Sequence, residues 1–162
     1  DPRNFNGKYS LSKAEAIVSA AGPIMNFILA FVFLICAHLI LMFWPGAVEQ
    51  LYLYQIGQIG LTSLGWPGLI CLITQSIVSI NIGLGVFNLI PLPPLDGSKI
   101  LTHFLPYNAR EWFYRNQQIF YIVFLILFIT RLSGIILTPI FTAVFNGMDW
   151  VVYNIFKLLS LI

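Results

Sequence analysis

Residues 87–100 read FNLIPLPPLDGSKI. An apolar run meets Pro91, Pro93 and Pro94, then reaches Asp96 and Gly97. Proline has no N–H to donate and forces the residue before it out of helical conformation, so Ile90, Leu92 and Pro93 leave the helix. The carbonyls one turn earlier, near Phe87 and Asn88, then lose their helical donors. In water such a break is an ordinary turn. In lipid it is expensive, so the solvent of this segment decides what Asp96 is for.

Composition identifies that solvent. The chain has 162 residues, 59% hydrophobic and 9% charged, with a mean hydropathy of +0.88. These values lie outside the range of soluble globular domains, and the apolar residues come in runs rather than in half-buried alternation. The expected architecture is all-α and polytopic, with about 3–5 hydrophobic helices in lipid. The net charge of +2 comes from scattered lysines and arginines and points to no nucleic-acid partner. Cys36 and Cys71 lie inside apolar runs, where packing accounts for them.

The first expected transmembrane helix covers 17–44, with Pro23 read as the start of its spanning part. From Pro23 to Trp44 is 22 residues, roughly 33 Å of helix against a bilayer core of about 30 Å. Trp44-Pro45-Gly46 ends it at an interfacial tryptophan. Residues 45–66 form a connection along the headgroups, and a second helix covers 67–90. Residues 91–98 are the broken segment with Asp96, and 117–162 hold further membrane-associated helices. There, Arg131 marks an interfacial turn after a helix ending near Thr130, and Thr138-Pro139 starts another element. No second intramembrane acid and no internal repeat stand out.

Basic residues orient the chain. Arg3, Lys8 and Lys13 precede the first helix, none lies in 45–66, and Lys99, Arg110 and Arg115 follow the break. The positive-inside rule therefore places 1–15 and 98–115 in the cytoplasm. Two readings of Asp96 stay open on this basis. It is a functional carboxylate at membrane depth, or it caps a cytoplasmic helix running from Gly97.

The pattern N-x-x-P-x-P-P-L-D-G, Asn88 to Gly97, resembles the C-terminal signature of the site-2 protease family of intramembrane zinc metalloproteases. The likeness is to the compact bacterial and archaeal members related to the sporulation-factor proteases. A-G-P-x-x-N, Ala21 to Asn26, is similar to the family's pattern on the preceding core helix. DPRNF at the start resembles its lead-in, so the matched stretch covers 1 to about 105. The resemblance implies that Asp96 is the third ligand of one zinc ion, that Asn88 holds substrate backbone, and that Asn26 faces the same cavity. It implies a membrane-embedded or membrane-proximal protein substrate, surrounding membrane lipids, and residence in a bacterial or archaeal cell membrane.

One departure is large. Such enzymes take two histidines and a general-base glutamate from H-E-x-x-H, and these residues contain only His38 and His103. Neither is placed to join Asp96. His103 lies seven residues on, roughly 10 Å along a helix, while zinc bonds are near 2 Å. Packing or interfacial hydrogen bonding accounts for both. No catalytic residue is therefore assigned within this chain. It is expected to be the C-terminal portion of a larger protease domain, inactive alone, with H-E-x-x-H upstream of Asp1. Two other classes stay in view: a non-catalytic membrane scaffold, and part of an ion-coupled transporter, whose broken helices also carry carboxylates.

Overall fold

A computed structural model describes residues 11–130 and 132–159. Seven α-helices form among them: α1 (Leu11–Phe43), α2 (Gly46–Gln55), α3 (Trp66–Asn88), α4 (Asp96–Phe104), α5 (Tyr107–Arg115), α6 (Gln117–Ile129) and α7 (Leu132–Leu158). Three are long and apolar enough to cross a membrane, Ser12–Phe43, Trp66–Asn88 and Gly134–Leu158. α5 and α6 make a fourth candidate, bent by 64° at their junction. The protein is an all-α polytopic membrane protein.

Both prolines expected to start elements instead lie inside them. Pro23 is within α1 and Pro139 within α7. Spanning helices tolerate internal proline because side chains, neighbouring helices and local adjustments satisfy the freed carbonyls. α1 consequently starts well before residue 17, and the 45–66 connection contains α2 and a 3₁₀ turn at Leu61–Ser63. The interruption after α6 falls where expected, with Thr130 as its C-cap. Arg131 lies outside the described residues.

The chain divides into two compact units, residues 1–26 with 83–141, and residues 27–82 with 142–162. In the first unit, α4 lies along the start of α1 and runs the opposite way. Gly22 faces Asp96 at one end, and Ser12 Oγ meets His103 Nδ1 at 3.1 Å at the other. Small residues allow this approach, as they do between membrane helices generally. α4 buries Gly97, Ser98 and Thr102, and α1 buries Ala16, Ser19 and Pro23 at helical spacing. Arg110 Nη2 then donates to the Leu105 carbonyl at 3.2 Å and the His103 carbonyl at 3.4 Å, placing a cation at the end of α4, where the helix dipole favours it.

In the second unit, Ala47, Leu51 and the fully buried Cys71 form a core against Ile40, Leu41 and Leu72. Gln50 Oε1 accepts from the Gly65 N–H at 3.2 Å and closes the loop before α3. Both cysteines are free thiols.

Candidate functional site

α3 ends at Asn88, and the non-helical stretch runs from residue 89 to 95. Its backbone recovers part of what proline removes. The Ile90 N–H turns back to the Phe87 carbonyl at 3.1 Å, Leu92 to Ile90 at 2.8 Å, and Leu95 to Leu92 at 2.9 Å. The Pro93–Pro94 bond is cis. The chain re-enters helix at Asp96 itself.

That position bears on the capping reading of the carboxylate. The cap of α4 is Leu95, extended at φ −73° and ψ 156°, with no side-chain cap bond. Asp96 is the first helical residue. The first turn is closed by Ser98, whose N–H and Oγ reach the Leu95 carbonyl at 3.1 and 2.7 Å. The Asp96 carboxylate is thus not the cap of this helix. It is about one third exposed and stands 3.9 Å from Lys99 Nζ, itself more than half exposed.

Two glycines set where this carboxylate goes. A Cβ on Gly97 would overlap the carbonyl groups of Leu89 and Ile90, so only glycine lets α4 begin against the end of α3. The contact ties Asp96 to the break one residue beyond Asn88. Across from it, the Cβ position of Gly22 lies 3.6 Å from Asp96 Oδ2. The A-G-P and L-D-G segments, 74 positions apart by residue number (96 − 22), therefore meet at one carboxylate oxygen.

Asn26 is one helical turn past Gly22, on the side of α1 that faces Asp96. Both Asn26 and Asn88 are half-buried. Asn81, Asn116 and Asn154 each donate to the carbonyl four residues back, at 2.7–2.8 Å. Among the described residues neither Asn26 nor Asn88 makes such a bond. Their amides are available to a ligand.

The histidines are used elsewhere. His103 bonds Ser12, and His38 belongs to the second unit. There His38 Nδ1 donates to the Leu34 carbonyl at 3.1 Å, Nε2 lies 3.6 Å from Asp149 Oδ1, and the ring rests on Phe156. Asp149 corrects the expectation of no second intramembrane acid, because it sits within the Gly134–Leu158 candidate span. A lone acid in an apolar run was its signal. Its partner is 111 positions away (149 − 38), beyond any local spacing.

Among the described residues no group of three or more His, Cys, Asp and Glu could hold a metal ion. A zinc site requires three or four protein ligands. These residues alone do not complete one.

These residues define a helical membrane protein with a carboxylate just beyond a proline-broken helix. Residues 5–130 match peptidase family M50. The chain belongs to that family, the site-2 proteases. It is 36% identical over 149 residues to a Bacillus subtilis protein named "Putative zinc metalloprotease YwhC", covering 92% of this chain and 58% of that one. It is 38% identical over 93 residues to "Putative zinc metalloprotease MJ0611" of Methanocaldococcus jannaschii, covering 57% of this chain and 36% of that one. The chain thus spans less than two thirds of the length of either relative. No solved structure matches it significantly.

Proposed function

We propose that this chain is the carboxylate-bearing part of an intramembrane zinc metallopeptidase that hydrolyses peptide bonds of membrane-embedded or membrane-proximal proteins. The observation that carries the reading is the meeting of Gly22 and Asp96, which joins the two family motifs around one oxygen of a carboxylate that caps nothing. Asp96 is the third ligand of a single zinc ion. The two histidines and the general-base glutamate lie outside these 162 residues, consistent with a chain that spans 58% of YwhC. Alone, the chain is inactive.

Each of its own residues has a part in this reading. Gly97 and Gly22 orient Asp96. The non-helical stretch 89–95 opens polar backbone at membrane depth, which survives only inside protein or beside a polar cavity. The unbonded amides of Asn88 and Asn26 hold the backbone of a substrate segment that has unwound. The match to peptidase family M50 favours this reading over an ion-coupled transporter. Residues 1–15 and 98–115 face the cytoplasm of a bacterial or archaeal cell, by the distribution of basic residues.

The test uses the full-length protein. Asp96→Asn should lose bound zinc and cleavage of a helical membrane reporter together, while insertion is unchanged. Asn88→Ala should keep zinc and cleave poorly. Wild-type zinc content and cleavage in Asp96→Asn would remove the metal assignment. Thiol labelling should reach positions 98–115 from the cytoplasm and position 50 only from the other side.

A further inference from the structure

The break does more than release Asp96. Ile90, Pro91 and Leu92 form one wall of an apolar cavity in the first unit, whose other walls include Phe124 and Leu127 of α6 and Ile136 of α7. Phe124 is held in place by edge contact with Phe87 at 6.0 Å and stacking on Phe128 at 6.2 Å. The cavity volume is about 190 Å³.

Size and place select the occupant. A cavity of about 150 Å³ lined by Leu, Ile and Phe stays dry and accepts a benzene molecule. This cavity is slightly larger and partly open, and it suits one branched or aromatic side chain. Along the chain it borders the candidate substrate site, because its lining residues Phe87 and Ile90 lie on either side of Asn88. A backbone held by Asn88 would run along the non-helical stretch, with side chains presented to the wall it forms.

We infer that this cavity is a specificity pocket, taking one leucine- or phenylalanine-sized side chain of the unwound substrate next to the residue whose backbone Asn88 holds. The inference rests on the peptidase reading and adds the chemistry of the substrate to it. A pocket of this kind discriminates by buried methylenes, so leucine in place of alanine at one reporter position should raise kcat/KM on the order of a hundredfold.

The experiment uses the full-length protein in membranes and reporters carrying alanine, leucine or phenylalanine at each position around the cut. Preference is read as a ratio within each variant, so differences in the amount of folded enzyme cancel. Leu127→Trp fills the pocket and should bring the leucine-to-alanine ratio to within about threefold of one. Leu127→Ala enlarges it and should shift preference from leucine to phenylalanine. A second readout needs no cleavage. Photoleucine placed at successive reporter positions should crosslink to Phe124, Leu127 or Ile136 from one position only. Crosslinks absent from these residues at every position, or a preference unchanged by both Leu127 variants, overturn the pocket. Crosslinking retained without any cleavage in the wild type leaves the pocket standing and counts against the peptidase reading alone.

Discussion

Asp96 in the first unit and Asp149 in the second are both single carboxylates on helices of an apolar protein, and each has a basic neighbour. Their settings differ in kind. Asp149 meets His38 across two helices, and that ring is further fixed by the Leu34 carbonyl and Phe156. Asp96 meets Lys99 on its own helix at 3.9 Å, a long contact between partly exposed groups, and faces a glycine on the neighbouring helix. One acid joins helices. The other is set in place by the close approach of Gly97 to the Leu89 and Ile90 carbonyl groups.

The largest effect that would break this comparison is functional. Changing even the outer partners of a metal ligand costs about 10- to 100-fold, so Asp96→Asn should lower reporter cleavage by at least about a hundredfold. Its thermal stability should stay near wild type, since the exposed Lys99 contact contributes little. Asp149→Asn should do the reverse and leave cleavage within about threefold, because its contact with His38 is structural. Equal losses of activity from both variants would erase the distinction.

Gly97→Ala comes next. The added Cβ meets backbone rather than a flexible side chain, and overpacking of this kind costs about 1–3 kcal/mol. Cleavage should fall together with stability, because the same shift moves Asp96. Near-normal activity in Gly97→Ala would show that the position of α4 against Leu89 and Ile90 does not matter.

A double-mutant cycle on His38→Phe and Asp149→Asn should give a coupling of roughly 0.5–1 kcal/mol in unfolding, as expected for a half-exposed pair. Zero coupling would mean that the pair does not join the helices of the second unit. Smallest of all, Lys99→Gln should change stability by less than about 0.5 kcal/mol and leave zinc content unaltered. A large loss of zinc in that variant would make Lys99 part of the site.

Much of this was legible along the chain. Lipid as solvent followed from composition, helices from uncharged runs long enough to span, and the break from three prolines whose chemistry is local. Asp96, Asn88 and Asn26 stood out as candidates because each belongs to a motif at fixed short spacing. Helix starts were less so. Pro23 and Pro139 read as beginnings under the rules of water, whereas a membrane helix can carry them internally.

What the sequence by itself determined was therefore the solvent, the helical class, the interruption and the acid at its end, all properties of near neighbours and their hydration. Only the tertiary structure decided that Leu95 rather than Asp96 caps α4, that Gly22 faces the carboxylate, that His38 meets Asp149, and that the break walls a cavity with α6. Periodicity and propensity report what a residue's own helix and solvent require of it. They carry no information about which distant residue closes the remaining side, because that contact is selected by packing of the whole fold.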